Sequence, residues 1–151
     1  MNRPRNIGTK AETAVVKVAR AHGFPWADRF ALHGRRDIGD VGLCPGVIVE
    51  VKGGDAARHA SDRDIEGWLT ETAIERVNAR AAVGFLVVQR PAVGYANAHR
   101  WHAYWRMAWL AELGPTADAF PAWDMTPVRC SLGDALAILR AAGYGEPIEA
   151  A

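Results

Sequence analysis

The chain has 151 residues and a mass of 16.4 kDa, with 50% hydrophobic and 23% charged residues. This composition is typical of a compact globular protein and excludes a disordered or fibrous one. A chain of this length buries about 68–70% of its unfolded surface, so we expect a single domain over residues 1–151 that needs no disulfide support.

The sequence favours neither secretion nor membrane insertion. Cys44 and Cys130 are too few and too far apart for a disulfide framework or a zinc motif. No apolar run approaches the roughly 20 residues of a membrane span, and residues 1–5 do not resemble a signal peptide. We therefore expect a cytoplasmic protein.

The net charge of +1 hides an uneven distribution along the chain. Residues 1–36 hold 8 basic and 2 acidic residues, whereas the remainder holds 10 basic and 15 acidic residues. A basic region beside an acidic one suits a polyanionic partner such as nucleic acid. A solvated basic N-terminal helix explains the same charges equally well.

The first half of the chain predicts a helix and then short strands. Apolar residues at three- and four-residue steps predict a helix over 9–22, with Thr9 as its N-cap and Glu12 as a capping-box partner. Loose alternation of apolar and polar residues predicts strands over 29–36 and 37–43. A Pro-Gly turn then leads into a run rich in valine, which predicts a third strand over 47–52.

The second half alternates helices and strands. Residues 61–81 predict the longest helix, beginning at Ser61 or Asp62, and a buried strand follows over 84–89. Strand, helix and strand in this order predict a crossover and a parallel pair. The C-terminal third predicts four more elements: a strand over 101–107, a helix over 107–113, a strand over 128–130 and a helix from Ser131 to about Ala142. The resulting αβββαβ order with a β and α extension predicts an α/β fold, with a mixed central sheet flanked by helices.

Two acidic residues and one lysine are the strongest site candidates. Glu50 and Lys52 point to the same face of their strand because side chains alternate along it. Asp40 lies across the preceding turn and can meet them. Two carboxylates and a backbone carbonyl suit Mg²⁺, with positions left for a water and a phosphate oxygen. Asp37 is a nearby alternative for the first acid.

Lys52 has several possible roles beside these carboxylates. Its ammonium can orient a water or neutralise charge on a phosphate, and its amine can deprotonate the water. The alternative is a plain salt bridge between Glu50 and Lys52 on a solvated face, worth about 0.2–1 kcal/mol. The valine-rich character of the strand favours a buried site over an exposed face.

This arrangement resembles the PD-(D/E)xK nuclease superfamily, in which an acid on one strand precedes (D/E)-x-K on the next. Asp40 matches the first acid, and Glu50, Val51 and Lys52 match E-x-K. The segment GTKAE at 8–12 is similar to a Gly-x-x-x-Glu segment of archaeal-type Holliday junction resolvases and their phage and actinobacterial relatives. The resemblance implies a restriction-endonuclease-like core over about 7–90, with an extension over about 91–151.

The same resemblance implies a set of site residues and partners. The implied catalytic residues are Glu12, Asp40, Glu50 and Lys52. Asp40, Glu50 and the Val51 carbonyl are the implied ligands of one or two Mg²⁺ ions, for which Mn²⁺ can substitute, and a homodimer is implied. For Glu12, helix capping and a role in the site stay equally open.

Basic and aromatic residues complete the prediction. The basic candidates for contacts with DNA are Lys10, Arg35, Arg36 and Arg90. A guanidinium group suits bidentate contact with phosphate, although Arg35 and Arg36 also fit an ordinary solvated turn. The tryptophans of the C-terminal third, at 101, 105, 109 and 123, are expected in a core or dimer interface rather than stacked on bases.

The sequence therefore predicts a magnesium-dependent endonuclease that hydrolyses DNA phosphodiester bonds. The resemblance implies structure-selective cleavage of branched DNA such as Holliday junctions. A restriction or repair nuclease of the same superfamily is the near alternative. From other classes, the alternatives are a catalytically silent nucleic-acid-binding module and an α/β protein unrelated to DNA.

Overall fold

The computed structural model describes residues 3–31, 37–115 and 117–147. Within these ranges the elements follow in chain order: α1 (Arg3–Ala21), β1 (Asp28–Arg29), β2 (Val41–Cys44), β3 (Val47–Lys52), α2 (Asp55–Arg58), α3 (Asp62–Asn78), β4 (Val83–Val88), a 3₁₀ segment (Tyr95–Arg100), β5 (His102–Arg106), α4 (Met107–Ala111), a 3₁₀ turn (Ala117–Ala119), β6 (Pro127–Ser131) and α5 (Leu132–Ala141).

The described strands form one mixed sheet in the order β1-β2-β3-β4-β5-β6. Strands β3 and β4 are parallel, with Val47 opposite Val83 and Lys52 opposite Val88, and the other neighbouring pairs are antiparallel. Parallel neighbours require a crossover connection, which α3 supplies. The predicted α/β fold with a mixed sheet packed against helices is confirmed, and so is the predicted parallel pair.

Each face of the sheet buries an apolar layer. Val47, Val49 and Val51 of β3 pack into the layer that includes α1 and α5. Leu86 and Val88 of β4 pack into the opposite layer with α3 and α4. Because side chains alternate along a strand, the face of β3 that carries Glu50 and Lys52 is turned toward α3. This layering places the acidic residue and the lysine beneath the crossover helix.

Helix α1 lies against the loop that follows β3. A Cβ added at Gly53 would lie 2.5 Å from the Cβ of Ala11, and one at Gly54 would lie 2.7 Å from Ile7. The buried side chain of Gln89 closes the same loop, since its Oε1 accepts a hydrogen bond from the Gly54 N–H at 2.8 Å. The loop can approach the helix this closely only because it has no side chains here.

We expect Gly53→Ala to destabilise the protein by about 1–3 kcal/mol, because the added methyl overpacks the contact with Ala11. Gly67→Ala on the exposed side of α3 is the matched control, since an added Cβ meets nothing within 4 Å there. That control should gain about 0.5–1 kcal/mol from helix propensity. Urea unfolding of both variants measures the difference, and equal stabilities would contradict the close approach.

Two predictions about helix boundaries are wrong. Helix α1 begins at Arg3, not near residue 9, so Thr9 lies inside it and its carbonyl accepts a hydrogen bond from the Thr13 hydroxyl at 2.7 Å. The capping box between Thr9 and Glu12 therefore does not exist. With 19 residues, α1 also exceeds the 17 residues of α3, which had been expected to be the longest helix.

Helix α3 begins where expected. The Ser61 hydroxyl accepts a hydrogen bond from the Asp64 N–H, and the Asp64 carboxylate accepts one from the Ser61 N–H. This reciprocal capping fixes the first turn of the helix. The predicted helix at the C-terminus is also confirmed, with Ser131 as its N-cap.

The strands before β3 are shorter than predicted. The strand expected over 29–36 is only the pair Asp28–Arg29 before the chain leaves the sheet, and residues 32–36 lie outside the described part. The strand expected over 37–43 begins only at Val41. Short edge strands limit unwanted pairing with other chains.

The tryptophans divide into two groups. Trp101 and Trp105 are fully buried and Trp109 is nearly so, as expected for core residues. Trp123 is 79% exposed and therefore lies outside the core, whereas the predicted alternative, a place in a dimer interface, stays a prediction. Among the described helices, none has both the length and the apolar character needed to cross a membrane.

Candidate functional site

A buried glutamate on the central strand is the centre of the site. Glu50 is only 5% exposed, although its strand lies between apolar neighbours on both sides. Burial raises the pKa of Glu50 to about 7, and the hydrogen bond and charge of Lys52 only partly offset this. The structure therefore holds a carboxyl group that titrates near neutral pH in the middle of the fold.

Asp40 lies at the entrance to β2, next to Glu50. Extending the β2–β3 register by one residue beyond Val41 and Val49 sets Asp40 opposite Glu50. The Asp40 Oδ2 accepts a hydrogen bond from the Val51 N–H at 2.8 Å. Burial, followed by the charge of Glu50, raises the pKa of Asp40 to about 8. The two carboxyl groups are thus neighbours that cannot both ionise cheaply without a cation.

The Val51 peptide faces the same edge. The N–H and C=O of one strand residue point to the same side, so the Val51 carbonyl is directed toward the side on which Asp40 binds its N–H. Two carboxylates and one peptide carbonyl are hard oxygen donors of the kind that Mg²⁺ prefers. These three residues, which the resemblance implies as ligands, are brought together by the structure.

Lys52 joins the cluster from the end of β3. Its Nζ lies 2.8 Å from Glu50 Oε1 and 3.0 Å from Glu71 Oε2, and 5.8 Å from the centre of the Trp68 ring. Burial lowers the pKa of the ammonium, but the hydrogen bonds and charges of Glu50 and Glu71 outweigh it and hold the pKa above its usual value. Lys52 is therefore a permanent cation in this arrangement.

Two glutamates of α3 complete the cluster, and sequence reasoning missed both. Glu71 and Glu75 are four residues apart and share the helix face above β3, with ligand atoms within 4.8 Å of one another and of Glu50. Glu75 is 3% exposed, and burial raises its pKa to about 7. Their spacing on the crossover helix was the available signal.

Glu75 and Glu50 compete for one proton. The two carboxyl groups lie close enough to hydrogen bond with each other, but such a bond exists only when one of them is protonated. With both ionised, Glu75 Oε2 is buried without a hydrogen-bond partner among the described residues. An oxygen in this state favours a proton or a cation beside it.

Glu12 lies at the margin of the cluster. Its Oε2 accepts a hydrogen bond from Arg29 Nε at 2.6 Å, and its charge contributes to the raised pKa of Asp40. The structure excludes the capping role and leaves the carboxylate between Arg29 and the site. Asp37, the alternative first acid, instead accepts a hydrogen bond from the Gly39 N–H at 3.1 Å. Asp40 therefore has the better position for that role.

The candidate DNA contacts are only partly described. Lys10 is exposed on α1, and Arg90 is exposed immediately after β4. Arg35 and Arg36 lie outside the described residues. A cleft of about 570 Å³ is lined by residues that include Arg29, Phe30 and Asn78 but not the acidic cluster. The acids therefore do not form part of the wall of this cleft.

No family model matches the chain, and no curated protein or solved structure shows significant similarity to it.

Proposed function

We propose that this protein is a magnesium-dependent endonuclease that hydrolyses DNA phosphodiester bonds. The observation that carries the proposal is the meeting of half-buried Asp40 and Lys52 with buried Glu50, in which the two carboxyl groups have pKa values raised to about 8 and about 7. A structural salt bridge explains Glu50 and Lys52, but it does not explain a second acid beside them with its own raised pKa. Strongly perturbed, clustered acids are typical of functional sites.

The order of elements supports the same proposal. A helix, three strands, a crossover helix and a parallel fourth strand match the αβββαβ core that the resemblance implies, with the acid before β2 and E-x-K on β3. We therefore assign the chain a restriction-endonuclease-like core, in which the β2–β3 hairpin carries the reacting groups.

The residues present fit a hard divalent cation. Asp40, Glu50 and the Val51 carbonyl would hold it, because the two carboxylates, once ionised, carry more negative charge than the Lys52 ammonium can balance. When bound, Mg²⁺ lowers the pKa of a coordinated water and polarises the phosphate. The pKa of both acids then falls, because the positive charge favours their ionised form.

The chain itself contributes orientation and charge. Hydrolysis joins a water oxygen to phosphorus and breaks the bond to one bridging oxygen, so negative charge accumulates on the phosphate. The Lys52 ammonium, fixed by Glu50, is the residue placed to stabilise that charge. Its raised pKa disfavours a role as general base and leaves proton acceptance to a carboxylate.

For the substrate, branched DNA is our proposal. A single α/β chain of 151 residues has little surface for reading a long base sequence, which favours recognition of DNA shape. The homodimer that the resemblance implies stays a prediction, and sedimentation of the purified protein measures it.

A catalytically silent binding module is the second candidate. The specific observation in its favour is that Lys52 is held by two carboxylates, Glu50 and Glu71, which is also how a purely structural lysine would be satisfied. Such a module would bind DNA with a salt-dependent affinity and cut nothing.

One experiment separates the candidates. Purified protein is incubated with supercoiled plasmid, linear duplex and a four-way junction, with Mg²⁺, with Mn²⁺ and with EDTA. We expect metal-dependent cleavage, with the junction cut faster than the linear duplex. Equal cleavage of all forms favours a restriction or repair nuclease. Binding without cleavage in either metal favours the silent module.

We expect Glu12→Gln to lower the cleavage rate by about 10-fold or more, because it removes a negative charge that acts on Asp40 and would strengthen the binding of a cation there. Arg29→Ala is the matched control, since it breaks the same ion pair and keeps the carboxylate. The pair is partly exposed, so both variants should unfold within about 1 kcal/mol of the parent. Equal losses of cleavage in the two variants would show that only the ion pair matters.

A further inference from the structure

The three glutamates Glu50, Glu71 and Glu75, here called the α3 triad, surround a position that the proposed nuclease mechanism does not use. Their ligand atoms lie within 4.8 Å of one another, between β3 and the crossover helix. The position is on the α3 side of Glu50, away from the edge where Asp40 binds the Val51 N–H. Glu50 thus separates two groups of oxygen donors.

Acidic residues alone do not make a site, but Glu75 adds an independent observation. Glu75 is 3% exposed, and its Oε2 has no hydrogen-bond partner among the described residues. Within the described part of the chain, the positive charge recorded at the triad is the Lys52 ammonium, which contacts Glu50 Oε1 at 2.8 Å and Glu71 Oε2 at 3.0 Å. The ammonium forms ion pairs with two of the three carboxylates, and no described residue donates a hydrogen bond to Glu75 Oε2.

We propose that the α3 triad is a second divalent-cation site, and that a cation there takes the place of the Lys52 ammonium between Glu50 and Glu71. Binding of the metal needs no DNA and can be tested by itself. Only a role of this metal in catalysis rests on the proposed function. Oxygen ligands of Mg²⁺ at 2.0–2.1 Å lie at most about 4.2 Å apart, so any pair of triad oxygens that lies near the 4.8 Å limit must move closer together when the ion binds. The side chain of Glu71, 53% exposed, has the space to do so.

Replacement of the Lys52 ammonium by a divalent cation at the α3 triad would also affect the groups around Asp40. A cation held by the triad releases Lys52 from Glu71, and the freed ammonium can then turn toward a phosphate beside Asp40 and Glu50. The Glu50 carboxylate would then be a neighbour of both positions. A pair of divalent ions about 3.5–4 Å apart is the usual spacing for two-metal hydrolysis of phosphodiesters.

The test is calorimetric titration of the metal-free chain with Mn²⁺ alone at pH 8. We expect two equivalents for the parent protein and one for Glu75→Gln. Glu71→Gln, at an exposed position that does not threaten folding, should weaken the second equivalent by about 10-fold or more. Glu112→Gln removes one exposed acid elsewhere and should leave both equivalents intact. Circular dichroism verifies that each variant is folded.

Lys52→Ala gives the sharpest result. If the ammonium and the metal compete for the same oxygens, its removal should tighten Mn²⁺ binding at the triad several-fold, whereas a lysine that merely supports the site should weaken binding when removed. Two equivalents that persist in Glu75→Gln, or a single equivalent that Asp40→Asn abolishes and Glu75→Gln does not change, would overturn the proposal.

The outcome is separable from the proposed function. A parent protein that binds Mn²⁺ through Glu75 but cuts no DNA keeps the triad as a metal site and removes the nuclease. A parent protein that cuts DNA while Glu75→Gln leaves metal binding unchanged keeps the nuclease and removes the triad. Manganese is the probe because it binds oxygen sites more tightly than magnesium and substitutes for it in the same geometry.

Discussion

Lys52→Ala should reduce metal-dependent DNA cleavage by about 10²–10⁴-fold while DNA binding survives. The lysine is a positive group fixed at the acids, 2.8 Å from Glu50, and loss of a group that stabilises charge in the transition state costs rate in this range. Single-turnover cleavage of the preferred DNA form measures the rate, and a gel-shift titration in EDTA measures binding.

Glu50→Gln should lower the cleavage rate at least as much, because it removes the carboxylate shared by all the other groups.

Lys17→Ala, at an exposed position on α1, is the matched control for the loss of one positive charge in Lys52→Ala and should cut within a few-fold of the parent. If Lys52→Ala and Lys17→Ala are equally active, the reacting groups lie elsewhere and the proposed site is wrong.

Asp40→Asn should make the metal-free protein more stable at pH 9 and inactive at any pH. Burial raises the pKa of Asp40 from 3.8 to about 8, so ionising it in the folded state costs free energy that the unfolded chain does not pay. The amide keeps an oxygen to accept the Val51 N–H but carries no charge. We expect a gain in unfolding free energy on the order of 2–3 kcal/mol at pH 9 and almost none at pH 4.

The direction in which stability changes with pH follows from the protons that the folded state binds. Asp40, Glu50 and Glu75 keep protons in the folded state up to about pH 8, about 7 and about 7, whereas the unfolded chain releases them near pH 4. Their contribution is therefore complete below about pH 4 and is lost as the pH rises through 7 and 8. Without metal, the parent protein should weaken steadily between pH 5 and pH 9.

Urea unfolding in EDTA across this range gives both results. Asp28→Asn, at an aspartate 77% exposed, is the control and should follow the parent within about 0.5 kcal/mol. Added Mg²⁺ should restore the stability of the parent at pH 9, since it binds the folded state alone. A parent protein whose stability rises from pH 5 to pH 9 in EDTA would contradict the burial of these acids.

The central strand and its site residues were predictable because side chains alternate between the two faces of a strand with a period of two residues. Alternation placed Glu50 and Lys52 on one face, and the short turn before them brought Asp40 alongside. No helix pattern competes with such a run of β-branched residues. This part of the site therefore follows from local rules.

The α3 acids were not predictable in the same way. The face of α3 that covers β3 carries Thr72 and Glu75, both buried, so the helix has no clear apolar stripe from which its orientation can be deduced. In sequence, a helix face that buries polar groups looks like one turned to solvent. Only packing against β3 reveals that Glu75 faces inward.

The error at α1 has a different cause. Thr9 and Glu12 have the spacing of a capping box, and the pattern was plausible on local evidence. The helix instead starts at Arg3, with Pro4 in its first turn, where a missing N–H costs nothing. The close packing of Ala11 against Gly53 and of Ile7 against Gly54 stabilises this longer helix. Tertiary contact outweighed the local signal.

The bond between Lys52 and Glu71 ties the crossover helix to the central strand by charge as well as by apolar packing. Opening of α3 by local unfolding would therefore break up the acidic cluster, and the cluster can re-form only when the helix closes again. We therefore expect the α3 amides to exchange with solvent hydrogen only as fast as the assembled site comes apart.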